Sequence, residues 1–452
     1  MDVADKSLNS VGPKQITFAE AFLYWLKLGF ISFGGPAGQI AVMHHDLVEQ
    51  KRWVSDQRFL HALNFCMVLP GPEAQQLATY LGWLLHKTWG GILAGILFIL
   101  PSFFLLLGLA YVYMAYGSVP AIAGALYGIK PAVVAIVFFA AYRIGSRTLK
   151  NTLMWSIAAV AFVAIFAFAL PFPVIVLTAG LIGYAGSRIY PRYFTTAAGY
   201  KQNQQVYGPA LIDDATEIPD HAQFRWAKFV KVLAIGLAIW AVTIGFLTLK
   251  YGWTGAYTQM GWFFTKAALL TFGGAYAVLP YVYQGAVDHY HWLTATQMID
   301  GLALGETTPG PLIMVVTFVG FVGGWGTQVF GTDAPFLSAL LAALVVTLFT
   351  FLPSFVFILL GGPLIESTHG NLKFTAPLSA ITAAVVGVIL NLAVFFAHHV
   401  FWHSSGTTGK LDYFAIILTL VAMLAIFRFK VGVIPIILGC GITGMIWQLF
   451  VV

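Results

Sequence analysis

Two lysines stand inside apolar stretches where a cation is costly. Lys27 and Lys266 each precede a Phe-Gly-Gly triplet by six residues, in "LKLGFISFGGPAG" and "TKAALLTFGGAYA". That spacing is about 9 Å along a helix. A cation within a membrane segment costs at least ~2.5 kcal/mol, so it either serves function or snorkels to an interface. A matched pair favours a substrate role. The glycines Gly34, Gly35, Gly273 and Gly274 reach backbone conformations other residues avoid and so break the helix. Ser32 and Thr271 precede the triplets and offer hydroxyl donors, although a helical hydroxyl can also bond back to its own preceding turn. A second break is written as Pro70-Gly71-Pro72 and Pro309-Gly310-Pro311. Proline removes an amide donor and disfavours helix in the residue before it. A helix that restarts in mid-membrane presents free amides and a partial positive charge of about half a unit, which suits an anion. Four such ends, at Gly34-Gly35, Gly71, Gly273-Gly274 and Gly310, would build an anion site from backbone. Glu73 and Glu306 flank the Pro-Gly-Pro breaks and are the coupling candidates. Glu73 sits in a first helical turn, where a carboxylate is a routine partner for the dipole. Glu306 ends the preceding segment, where the dipole opposes it and burial favours its protonated form.

The elements that must position these groups are membrane helices. The 452 residues are 59% hydrophobic and 9% charged, with a mean hydropathy of +0.84. Soluble domains carry about 25% charged residues. Apolar runs long enough to span hydrocarbon occur at 92–116, 120–141, 151–171, 229–249, 336–362, 376–397, 411–427 and 431–452. Continuous runs of that length exclude a barrel, leaving an all-α polytopic membrane protein. The first 16 residues are polar, and no cleavable signal peptide is visible. Cys66 and Cys440 imply neither a disulfide framework nor a metal cluster. His44, His45 and His61 read as interfacial, so no metal and no cofactor are expected. The formal net charge of +6 comes from bases beside helix ends, which argues against nucleic-acid binding.

The chain repeats itself. At an offset of 239, Lys27 meets Lys266, Phe33-Gly34-Gly35 meets Phe272-Gly273-Gly274, Trp53 meets Trp292, and the two Pro-Gly-Pro triplets coincide. At an offset of 252, Leu100-Pro101-Ser102-Phe103 meets Leu352-Pro353-Ser354-Phe355. Charge sets the orientation. The hairpin at 151–187 has an uncharged tip and a basic base, with Arg143, Arg147, Lys150, Arg188 and Arg192. Its counterpart at 411–452 has Arg428 and Lys430 at the tip instead. Lys and Arg stay on the cytoplasmic side, so the halves should be inverted. The loop with Lys51, Arg52 and Arg58 belongs inside, whereas 284–296 has no Lys or Arg. Segments at about 17–33, 36–49, 57–69 and 72–86 are too short to span and fit two re-entrant hairpins per half. The expected architecture is thus two inverted-topology repeats whose re-entrant or broken helices meet near the midplane. The units run as a cytoplasmic segment at 1–16, a first repeat at 17–187, a cytoplasmic linker at 188–228, a connecting helix at 229–250 and a second repeat at 251–452.

The stretches "FGGPAGQIAVMHHDLVEQKRWVSDQRF", "NFCMVLPGPEAQQLATYLGW" and "FILPSFFLLL" resemble the chromate ion transporter family of the long, two-domain type. The resemblance covers about 17–142 and 257–400, with "FGGAYA" lacking the proline of "FGGPAG". It implies export of chromate across the bacterial inner membrane, conferring chromate resistance, with sulfate the near isostere. The alternatives are a sulfate or other oxyanion transporter and an anion channel. An enzyme is disfavoured, since no catalytic constellation is seen. The expected partners are the oxyanion and the lipid bilayer; a homodimer is left open.

Overall fold

The computed structural model describes residues 16–189, 208–213, 216, 219–368, 375–403 and 410–450. Most of the segment at 1–16 and of the linker lies outside that set. In chain order the helices are α1 (Phe18–Ile31), α2 (Gly35–His44, continued by a π-helical turn His45–Gln50), α3 (Asp56–Val68), α4 (Glu73–Tyr116), α5 (Pro120–Thr148), α6 (Thr152–Phe168) and α7 (Phe172–Ile189). Then follow α8 (Trp226–Tyr251), α9 (Ala256–Leu269), α10 (Ala275–Tyr283, continued by a π-helical turn Gln284–His289), α11 (Ala295–Thr307) and α12 (Val315–Thr327). The last four are α13 (Pro335–Thr368), α14 (Thr375–Phe401), α15 (Tyr413–Phe429) and α16 (Val433–Phe450). Trp402–His403 and Lys410–Leu411 form a short antiparallel pairing in a protein that is otherwise helical. Seven helices are long and apolar enough to cross a membrane, so this is a multi-pass α-helical membrane protein.

The backbone repeats as the sequence does. Both π-helical turns lie 239 residues apart, at His45–Gln50 and Gln284–His289. Arg52 and His291, also 239 apart, each adopt φ of 54°, a region few non-glycine residues enter. Ser55 caps α3 and Thr294 caps the equivalent α11. α4 is two helices in one run, because His86 and Lys87 leave helical geometry. The second half separates fully at the corresponding place, where Gln328 turns left-handed at φ 45° between α12 and α13. Pro101 and Pro353 stay inside their long helices.

Contacts fix the direction of the long helices. Tyr111, near the end of α4, lies 5.5 Å from the Phe336 ring in the first turn of α13. At the other end of α13, Glu366 accepts from Tyr80, which precedes the α4 kink. Residues 88–116 and α13 therefore run oppositely, although they are repeat equivalents. At one end of the bundle the linker pairs with the first-half loop: Ile212 donates to the Trp53 carbonyl at 3.1 Å, and Ser55 donates to Ile212 at 3.0 Å. His221 reaches the Trp83 carbonyl at 3.0 Å, and burial holds its pKa below the ordinary histidine value. The equivalent second-half loop meets the tip of the α6–α7 hairpin, where Phe172 donates to Gln284 at 3.1 Å.

The inversion that the charge pattern calls for is a statement about membrane sidedness, which labelling can test. Cysteines at Leu170 and Val431, both exposed at hairpin tips, should react from opposite membrane faces when Cys66 and Cys440 are replaced. Labelling of both from one face would remove the inversion.

Candidate functional site

Four helix breaks meet in pairs, each pair joining one half to the other. Gly71 donates its N–H to the Thr271 carbonyl at 2.7 Å, and Gly310 donates to the Ser32 carbonyl, also at 2.7 Å. The two bonds are images of each other under the 239-residue offset. Each half thus supplies the acceptor for the other half's glycine, as a two-fold relation requires. The serines of the repeated Leu-Pro-Ser-Phe lie beside the same glycines. A Cβ at Gly310 would meet Ser102 Cβ at 3.0 Å, and one at Gly71 would collide with Ser354 Oγ. Ser102 Oγ lies 3.4 Å from Thr308 Oγ1. Gln39 donates to the Gly310 carbonyl at 2.5 Å and is 3.3 Å from that of Ser32; Gln76 donates to the Pro70 carbonyl at 2.8 Å.

The electrostatics follow from what is left unpaired. α1, α3, α6, α11 and α15 begin with a side-chain cap from Thr17, Ser55, Asn151, Thr294 and Asp412. None of the four helical starts at the breaks has one. Their first-turn amides retain donor character and the positive end of the dipole. Buried around them, Ser32 Oγ, Ser354 Oγ and the Oε1 atoms of Gln39 and Gln76 have no protein partner among the described residues. The two serine hydroxyls and the uncapped first-turn amides offer neutral donors, whereas the glutamine oxygens can only accept. The donor set suits recognition of a small oxyanion, and no group of His, Cys, Asp or Glu among the described residues could hold a metal.

The sites expected from sequence separate into two sets. Ser32, Thr271, Gly71 and Gly310 are all buried and come together at the paired breaks. The Thr271 hydroxyl bonds back to Ala267 at 2.7 Å, whereas that of Ser32 stays unpaired. The amides of Gly71 and Gly310 are engaged across the halves, so their neighbours carry any free donors here. Gly34 is exposed and Gly35 half-buried; in the second half Gly273 is half-buried and Gly274 buried. Lys27 instead lies on an exposed face of α1 with Leu23 and Phe30. Lys266 is half-buried, its Nζ 5.7 Å from the Trp262 ring. Glu306 accepts a hydrogen bond from Tyr276, which ties α11 to the start of α10. Glu73 is half-buried in the first turn of α4.

Sequence reasoning missed Gln39, Gln75 and Gln76, although polar residues within membrane segments are a signal in themselves. It used Ser102 and Ser354 only to register the repeat. It also passed over two charged clusters. Arg58 pairs with Glu366, which Tyr80 contacts at 2.5 Å. Lys130 Nζ lies 3.8 Å from Asp300, which Tyr113 contacts at 3.0 Å.

Gly71 adopts φ 133° and Gly310 φ 93°, with a serine against each. Gly71→Ala and Gly310→Ala should each lower stability by about 1–3 kcal/mol in detergent thermal unfolding and abolish flux. Gly34, at φ 88° and ψ 18° with nothing near its Cβ position, should accept Asn with little change. Equal damage at all three positions would mean that the paired contacts are not special.

The chromate transporter family model matches residues 19–184 and 258–445. A chromate transport protein of Pseudomonas aeruginosa is 31% identical over 443 residues, covering 97% of this chain and 94% of that protein. One from Cupriavidus metallidurans is 28% identical over 433 residues, covering 95% of this chain and 93% of its own. An uncharacterized transporter of Bacillus subtilis is 30% identical over 126 residues, which is 28% of this chain and 64% of that protein. No solved structure matches.

Proposed function

This chain belongs to the chromate transporter family, and from that premise we propose that it exports chromate from the cytoplasm across the cell membrane. Membership makes it a transporter rather than an enzyme. The observation that carries the mechanism is the reciprocal pairing of the four uncapped helix breaks, Gly71 with Thr271 and Gly310 with Ser32. Chromate is a tetrahedral dianion whose four oxygens accept hydrogen bonds. Serine hydroxyls and first-turn amides supply donors without a fixed charge, so the anion can be held and released. In this reading the units 17–187 and 251–452 are inverted repeats that alternate access to the shared site. Broken helices in corresponding positions of inverted repeats support that arrangement.

Direction follows from voltage. With the interior negative, moving two negative charges outward gains about 4.6 kcal/mol at 100 mV, roughly three decades of concentration ratio. In proteoliposomes an imposed inside-negative potential should drive radiolabelled chromate out, and counterflow should saturate. Flux that never saturates would favour the anion channel, and equal competition by sulfate would broaden the substrate class to oxyanions.

Half-buried Lys266 is proposed as a countercharge along the path, and Lys27, on the exposed face of α1, as a charge that draws the anion toward it from outside the paired breaks. Lys27→Ala should abolish transport while the protein still accumulates, and Lys27→Arg should retain part of it, since charge survives but shape does not. Lys266→Ala should be milder, because the second-half motif lacks the proline at the position of Pro36. Unchanged chromate affinity in both alanine variants would reduce the lysines to snorkelling residues.

A further inference from the structure

Lys130 lies ten residues into α5, an apolar helix long enough to cross a membrane, and Asp300 five residues into α11, which packs against it. Asp300 is 2% exposed. Its Oδ2 accepts from the Tyr113 hydroxyl at 3.0 Å. Its Oδ1 lies 3.8 Å from Lys130 Nζ and has no hydrogen-bond partner. The Lys130 side chain keeps 23% of its surface exposed. A second ion pair, Arg58 with Glu366, is closed to hydrogen-bond distance and reinforced by Tyr80. The Lys130–Asp300 pair is open, with one carboxylate oxygen unused and the ammonium accessible. Glu73 and Glu306, the carboxylates singled out in the sequence, have no ion-pair partner among the described residues.

We propose that Lys130 and Asp300 form a proton-gated oxyanion site, a proposal that rests on the reading of this chain as an oxyanion transporter. With Asp300 ionised, its charge neutralises Lys130 and repels an incoming anion. A proton taken from water onto Oδ1 removes that charge and leaves Lys130 as a lone cation. Within a bilayer a lone cation is costly, and a small dianion compensates it. The anion leaves as Asp300 gives its proton back and Lys130 returns to the carboxylate, so one net negative charge crosses per anion and half of the voltage gain for the bare dianion remains. No bond within the oxyanion changes. Asp300 precedes Thr307 by seven residues, about 10 Å along α11, which places this site one step from the paired breaks.

The neighbouring helices carry the other titratable and charged groups. α4 turns Tyr113 to the carboxylate and α5 turns Lys130, with Tyr127 one turn before it and Tyr142, Arg143 and Arg147 near its far end. α11 itself also carries Glu306, nearly two turns from Asp300. α12 has no titratable side chain, α16 has only Cys440, and α14 has His398 and His399 in its last turn. α15, packed on α5, carries the N-cap Asp412, which accepts from Tyr127 of α5 at 2.6 Å, with Tyr413 beside it and Arg428 at the far end. Asp412 and Glu306 each hold a tyrosine hydroxyl of their own, and Asp300 is the carboxylate paired with Lys130, so its proton sets the charge that faces the lysine directly.

Binding of radiolabelled chromate to the purified full chain, between about pH 7.5 and 9 where chromate stays a dianion, tests the site. One proton taken up per anion bound weakens the wild-type affinity by about tenfold for each unit of rising pH. Asp300→Asn should bind with no pH dependence, and Lys130→Gln more weakly and also without it. The neutral double variant Lys130→Gln/Asp300→Asn leaves no lone charge, so it should insert even where a single variant fails, and its affinity should likewise be flat. Glu306→Gln should keep the wild-type slope. A flat wild-type profile, a slope that survives in Asp300→Asn or the double variant, or a slope lost in Glu306→Gln would each overturn the proposal. If the wild type shows saturable counterflow yet a flat binding profile, transport stands and this site falls. If it neither binds nor carries chromate, both fall.

Discussion

A peptide group cannot remain unpaired in hydrocarbon, where each unsatisfied one costs several kcal/mol. A helix broken in mid-membrane creates such groups on both sides of the break. Here each half completes the hydrogen bonds of the other, with Gly71 donating to Thr271 and Gly310 to Ser32. The two halves cannot part at these points without exposing backbone to lipid. Any movement between them must exchange one set of partners for another, and an oxyanion rich in acceptors is one partner that would serve. The same constraint selects the residues around the contact. The backbones must approach closely, so glycine occupies the donor position, and only a small serine fits on the facing long helix.

Backbone and side chains obey different symmetries. The π-helical turns, the left-handed Arg52 and His291, and the paired glycines recur in both halves, because peptide groups in each half face the same solvent problem. The polar side chains that bond around the breaks do not all recur. Gln39 and Gln76 of the first half correspond to Val278 and Val315, and the Tyr276–Glu306 bond of the second half corresponds to Ala37 and Met67. A duplicated scaffold must keep its backbone hydrogen bonds to survive in the bilayer. Its side chains are free to specialise, since one asymmetric anion needs only one set of ligands.

The break points were legible in the sequence because glycine and proline act locally. Segments expected at about 17–33, 36–49, 57–69 and 72–86 appear as 18–31, 35–50, 56–68 and 73–85. The pairing between breaks was not legible. Gln39 meets Gly310 across 271 residues, and no local pattern states which carbonyl a glycine will find. Lys130 was hidden by the apolar run that surrounds it, as its partner lies 170 residues away in another segment. Lys27 shows a different limit. Six residues advance a helix by roughly 600°, or 240° beyond one full turn, so a lysine six positions before the break need not face the same way. Distance along the axis was read from spacing, while direction around it was set by packing against α4.

The two charge clusters lie within one helical turn of equivalent positions, Arg58 near the counterpart of Asp300 and Glu366 next to that of Tyr113, and they differ in chemistry. Arg58 on α3 reaches Glu366 on α13, and Asp300 on α11 reaches Tyr113 on α4. Each ties the second hairpin of one half to the long helix of the other. In the first, guanidinium, carboxylate and phenol close on one another, and Arg58 also donates to the Thr216 carbonyl of the linker at 3.1 Å. Breaking such a buried pair by removing one partner costs about 3–5 kcal/mol, so it fastens α3 firmly. In the second, the phenol takes one oxygen of Asp300 while the lysine stands off from the other. The same strut position is therefore rigid in one half and labile in the other. If the halves move against each other, the labile strut is the one that can give way, and its release puts an unmatched charge where an anion can answer it.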